Sequence, residues 1–199
     1  MIYQIHRYPA ELIDVVVLSP GERVVIRPVL PQDEHLTSAF FRSLSPRARY
    51  DRFMASLREP PPELMRRFTQ IDYSDHVALV AEVFANGREV VIAEARYVRK
   101  AGDPTVAEFA VSVAEPWQGK RLASLLLAKL VCRAAAVGIE RMVGETLASN
   151  ARMLALARKA GFTIRPSVEV RGVMELERDL SPPRAGQMCN AAEVGALAA

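Results

Sequence analysis

The stretch "VAEFAVSVAEPWQGKRLASLLLAKLVCRAAAVGIERMVGETLA" (106–148) restricts the fold more than any other part of the chain. Residues 106–113 alternate apolar and β-prone side chains and read as a strand. An apolar helical run follows from about Arg121 to Val137, stopped by Gly138. Residues 141–148 read as a second strand. A strand that returns to the sheet through a helix must lie parallel to the strand before it. The other strands are joined by short turns and should be antiparallel. The expected architecture is therefore a mixed sheet of the α/β (α+β) class with one central parallel pair.

The remaining elements follow from local signals. "RVVIRPV" (23–29) reads as a strand, and Asp33 is expected to cap a helix reaching about Leu44. Ser45-Pro46 opens a second helix, and Pro61-Pro62-Glu63 opens a third. Residues 76–84 and 89–99 form two strands around Asn86-Gly87, a hairpin signal. Asn150 opens a helix that closes at Gly161, and 167–180 supplies one or two final strands. Residues 1–22 form a lead segment, a short helix or an edge strand. Residues 23–180 form one domain, and 181–199, rich in small residues and Pro, reads as a mobile tail.

Half the residues are hydrophobic and a quarter are charged, which suits a globular domain with a substantial core. Between 118 and 165 stand nine basic residues (Lys120, Arg121, Lys129, Arg133, Arg141, Arg152, Arg158, Lys159, Arg165) against Glu140 and Glu145. That imbalance suggests an anionic ligand near this half, or a solvated helical face. The two cysteines, Cys132 and Cys189, form no metal-binding pattern, and no disulfide is expected. Cys132 reads as a core residue. The N-terminus lacks a signal or membrane-span pattern, and a cytoplasmic location is expected. No metal, nucleic acid or membrane is expected as a partner. His6, His35 and His76 are scattered and read as structural or surface residues.

The segment "QGKRLAS" joins strand to helix. A helix that begins past the carboxyl end of a strand presents free amides and a positive dipole end, which suit a phosphate. Gly119 gives the turn flexibility, and Lys120 and Arg121 add charge. Ala123 and Ser124 allow close backbone approach.

These residues resemble the GNAT superfamily of acetyl-CoA-dependent N-acetyltransferases, whose loop pattern is Q/R-x-x-G-x-G/A. Gln118 and Ala123 match its ends, and Arg121 replaces the inner Gly. Asn150 and "KAGF" (159–162) match the family's last helix. "IRPVLPQDEHLTSAFFRSLSPRARYDRF" and "TQIDYSDHVALVAEV" are most similar to domains of bacterial protein-lysine acetyltransferases. The resemblance implies a splayed parallel pair with helices on both sheet faces. It implies acetyl-CoA as cosubstrate, with pantetheine along backbone groups of Val111, Ser112 and Val113. The pyrophosphate would lie on Gln118 and on amides of Gly119, Lys120, Arg121, Leu122, Ala123 and Ser124, near Asn150. Arg121 need not block this: with the negative φ of a helix start its side chain can lie outward, toward the ribose phosphate, or it is simply a solvated helix-start residue.

Acetyl transfer needs a deprotonated amine, hence a base. The resemblance implies a Glu on either strand of the pair. Glu108 is favoured because it interrupts an apolar strand, and Glu145 is the other candidate. The acid Tyr that the family often carries corresponds here to Ala157. The acceptor is a protein lysine or a small amine, and the oligomeric state is left open. A non-catalytic acyl-CoA sensor is the alternative. Arg42, Arg47, Arg49, Arg52, Arg58, Arg66 and Arg67 on the early helices suggest an acidic acceptor surface.

Overall fold

In a computed structural model, residues 7–180 are described. His6, Cys189 and the expected tail lie outside them. Strands β1 (Asp14–Ser19) and β2 (Glu22–Pro28) open the chain. Helices α1 (Glu34–Ser43), α2 (Pro46–Phe53) and α3 (Pro62–Thr69) follow. A meander comes next: β3 (His76–Ala85), β4 (Arg88–Lys100) and β5 (Asp103–Val113). Helix α4 (Leu122–Ala136), strand β6 (Arg141–Leu147), helix α5 (Ala151–Lys159) and strands β7 (Thr163–Pro166) and β8 (Val173–Asp179) complete it. The strands form one sheet in the order β1-β2-β3-β4-β5-β6-β8-β7, with β5 and β6 parallel and every other neighbour antiparallel. The lead segment thus supplies an edge strand whose Val16 enters the core, as does Leu12 in the short turn before it.

Helices cover both faces. On one, Leu122, Leu126, Leu127 and Leu130 of α4 pack with Leu154 and Ala157 of α5 onto Leu79, Ala95, Tyr97 and Phe109. On the other, Phe40 and Phe41 of α1 and Met65 of α3 cover Ala78, Val80 and Val91. Lys129 is fully buried in α4 and pairs with Asp14 of β1 at 3.0 Å, so this cation serves the edge strand and not a ligand.

The hairpin at Asn86-Gly87 takes positive φ at both residues, 52° and 76°, as the two-residue turn requires. Ser45 caps α2 through its hydroxyl, which accepts from the Ala48 amide at 3.1 Å. Asp33 corrects the expected helix cap. It precedes α1, but its carboxylate accepts from the Leu30 amide at 2.8 Å and from Arg27 at 2.5 and 3.1 Å. Arg27 also reaches Glu82 at 2.8 Å, making an Asp–Arg–Glu triad that ties α1 to β2 and β3. The closing hairpin also starts earlier than expected: residues 163–166 are already a strand, and much of 167–172 connects it to β8. Cys132, expected to be unpaired, is disulfide-bonded.

Candidate active site: a cleft between two parallel strands

The parallel ladder holds for three pairs, Val106–Arg141, Ala107–Met142 and Glu108–Val143, and then stops. Beyond it Phe109–Val113 of β5 and Gly144, Glu145 and Thr146 of β6 line one cavity of about 640 Å3. At the point of divergence the Phe109 ring packs against Phe162, tilted by 39° with centroids 4.8 Å apart, and lies against Gly144. A Cβ at position 144 would stand 2.8 Å from that ring, which is why glycine is needed there. The cavity opens toward the start of α4 and is bordered by Gln118, Gly119, Arg121, Ala123 and Ser124.

The cradle is ordered from within. Gln118 donates to the Val113 carbonyl at 2.9 Å and accepts from Arg152 of α5. Gly119 has φ 79°. Lys120 pairs with Glu22 and stands 4.8 Å from the Trp117 ring centre. Hydrogen bonds from Lys120 and Ser19 hold the Glu22 carboxyl below its ordinary pKa. Leu122 is buried in the core, so only its backbone can face a ligand. Asn150 borders the cavity and caps α5, its Oδ1 accepting from the Met153 amide at 3.1 Å.

Arg121 departs from expectation. Its φ is +63°, in the left-handed region, and its side chain makes no helix cap. The turn therefore demands the backbone that glycine adopts freely, and a side chain there costs about 1–2 kcal/mol. Arg121→Gly is expected to raise stability by up to about 1 kcal/mol in urea melts, the relief being partly offset by the freer unfolded chain.

The basic stretch also proves mixed. Arg121, Arg152 and Lys159 border the cavity, whereas Lys129 is buried against Asp14, and Arg141 pairs with Asp103 and Glu177. Among the early arginines, Arg49 donates to the Leu44, Arg42 and Leu57 carbonyls and is structural. Arg47 pairs with Asp51 at 3.0 Å and donates to Ser149 at 2.8 Å. On the opposite wall the Ser45 amide donates to Glu115 at 3.1 Å. Partial burial works against the charged form of Glu115, but the bonds from Ser45 and from its own backbone amide, with the charge of Arg152, together lower the pKa. Helix α2 is thus fastened to both walls of the cleft.

Both candidate bases lie on the sheet face that α2 covers. Glu108 belongs to the last pair of the ladder, where the cleft closes, and is exposed, so interrupting an apolar strand does not bury it. Glu145 is also exposed and borders the cavity two residues beyond the ladder. Ser112 and Thr146 bring buried hydroxyls without hydrogen-bond partners to the two walls. Arg52, Trp117, Thr146, Arg152, Met153 and Leu156 also border the cavity and were missed as site residues. Arg152 and Met153 could have been found from their place in the first turn after Asn150. His76 is structural: burial, with Arg96 beside it, pushes its pKa down to about 3 and keeps the ring neutral.

An open sheet with a parallel pair parted over a helix N-terminus is the arrangement that the resemblance to acetyl-CoA-dependent transferases implies, and comparison with known proteins agrees. Residues 40–162 match the family model of the acetyltransferase (GNAT) family. The chain is 34% identical over 163 residues to acetyltransferase Pat of Mycolicibacterium smegmatis, covering 81% of this chain and 47% of that protein. It thus spans about half the length of that relative. An acetyltransferase of Pseudomonas aeruginosa is 31% identical over 145 residues, 73% of this chain and 77% of that protein. The crystal structure of the GNAT domain of S. lividans PAT matches with a TM-score of 0.79 at 33% identity, covering 87% of this chain and all of that one. The chain belongs to the GNAT acetyltransferase family.

Proposed function

We propose that this protein transfers acetyl from acetyl-CoA directly to an amine, with a protein lysine as acceptor. The observation that carries the reading is the continuous cleft from the first turn of α4 to the end of the β5–β6 ladder. A pantetheine arm laid along Val111, Ser112 and Val113 would pair with strand backbone as a short extra strand does. Its pyrophosphate would meet the amides from Gly119 to Ser124, and Arg121 would reach the phosphates from outside. The thioester would then lie where the ladder ends, beside Glu108 and with Glu145 on the other wall. Both acids are exposed, so an amine carried on a protein surface can approach them from solvent. Arg42, Arg58, Arg66 and Arg67 are exposed on α1, α3 and the loop between α2 and α3, which favours an acidic surface around the acceptor.

Acetyl-CoA is expected to raise the thermal midpoint, since ligand at about 100 times its Kd adds about 2.7 kcal/mol to the folded state. Incubation with acetyl-CoA and a cell extract should then yield acetylated lysines detectable by mass spectrometry. No midpoint shift at saturating acetyl-CoA would overturn the reading. In the same assay Arg121→Gly should weaken acetyl-CoA by about 1 kcal/mol, in part salt-dependently. The buried Ala157, standing where the resemblance places an acid, favours a second reading as a non-catalytic acyl-CoA sensor. Binding without any acetylated product would support that one.

A further inference from the structure

With Ala157 in place of an acid, some other group must stabilise the sulfur when the acyl carbon–sulfur bond breaks. A fixed positive charge in a site poor in water does this electrostatically. Arg52 of α2 is placed for it. It forms part of the cavity wall together with Ala110, Val111 and Ser112 of β5. Its charge interacts with Glu94 and Glu108. Those two acids mark the ends of one short stretch of β5, since Glu94 of β4 is the cross-strand partner of Ser112. Arg52 therefore stands over residues 108–112, where the cleft closes.

Its counter-charges are held elsewhere. Glu94 is fully buried and bonded to Arg96, which stacks on Phe68 at 3.6 Å and contacts His76 at 3.0 Å. Asp51 pairs with Arg47, and Glu108 is exposed to water. The Arg52 guanidinium lies 5.1 and 5.5 Å from the ring centres of Phe53 and Phe68, and its Nε is buried with no hydrogen-bond partner. Arg52 is half-buried, and a partly dehydrated cation without a bonded counter-ion is costly; an anion arriving beside it offsets that cost.

We propose that Arg52 is a catalytic residue whose guanidinium stabilises the departing CoA thiolate. The role rests on the acetyl-transfer reading above. The amine nitrogen forms the new bond to the thioester carbon, and the carbonyl pair moves onto oxygen. When that pair returns, the carbon–sulfur bond breaks and its electrons go to sulfur. The amine proton passes to the carboxylate base, and the thiolate stays beside Arg52 until it takes a proton from water.

The test titrates the thiol of CoA bound to the full chain by thiolate ultraviolet absorbance, with affinity followed by calorimetry. In the wild type the bound thiol should titrate at least about one unit below that of free CoA in the same buffer. Arg52→Gln should return it to the free value, and Arg52→Met, which keeps apolar contact with Phe53 and Phe68, should do the same if the Gln variant fails to fold. Turnover should fall about 100-fold with KM for acetyl-CoA level. A wild-type thiol titrating at or above the value of free CoA in the same buffer would overturn the proposal. So would either variant that binds CoA and leaves the wild-type titration unchanged. Failure of the wild type to bind CoA would instead overturn the reading of the cleft, and the role of Arg52 with it.

Discussion

Glu108→Gln is expected to lower turnover by about 100-fold or more while leaving acetyl-CoA affinity unchanged. The substitution keeps the side chain's shape and removes the basic oxygen. Glu108 stands in the last pair of the parallel ladder, where a thioester threaded along β5 would end. A lysine acceptor, with a pKa near ~10.4, is almost wholly protonated at neutral pH and needs that base. The loss should therefore shrink as pH rises and more of the amine deprotonates unaided. Glu145→Gln is the comparison. Glu145 lies farther along the cleft, opposite Glu175 of β8, and its loss should be smaller and without relief at high pH. A pH-relieved loss in the Glu145 variant alone would exchange the two roles. If neither variant slows an active wild type, base catalysis by these strands is refuted.

Asp33→Ala is expected to cost about 3–5 kcal/mol of stability. Asp33 is 3% exposed and serves two partners at once, the Arg27 guanidinium and the Leu30 amide. Its removal leaves Arg27 half-paired in a buried setting and leaves the Leu30 amide without its acceptor. Asp33→Asn should cost less, since an amide oxygen can still accept from Leu30. Urea melts of the three proteins give the ranking. An Ala variant within about 1 kcal/mol of the wild type would show that Glu82 alone suffices for Arg27, contrary to the cost of breaking a buried network.

The sheet was legible because its signals are local. Asn86-Gly87, Ser45-Pro46 and the helix between residues 113 and 141 each dictate a connection, and the connections dictate strand direction. The site was legible only as far as backbone goes. The cradle between Gln118 and Ser124 follows from a strand feeding a helix, but the φ of Arg121 does not, because a side chain gives no warning that its turn needs the left-handed region. Long-range pairings were illegible for a related reason. Lys129 looked like one cation among nine, yet its partner Asp14 is more than a hundred residues away in sequence. Arg52 looked like surface charge in a helix rich in arginine, and only the rings of Phe53 and Phe68 turn it into a wall of the cleft. Asp33 carried a cap-like sequence context, but Arg27 and Leu30 claim its carboxylate.

The early end of the β5–β6 ladder has a further consequence. Strand edges invite aggregation, and proteins usually keep them at the rim, where charge or short length blunts them. Here one pair of edges lies inside the sheet and faces a gap. Helix α2 is fastened across one side, by Arg47 to Ser149 and by the Ser45 amide to Glu115, and α5 borders the other. An ordinary strand, with side chains on alternate faces, would collide with both helices. A slender chain bearing amides and, over its thiol end, no side branches would not. The protein can therefore keep interior edges unpaired without recruiting other polypeptides, because the covering helices admit a partner by its thickness.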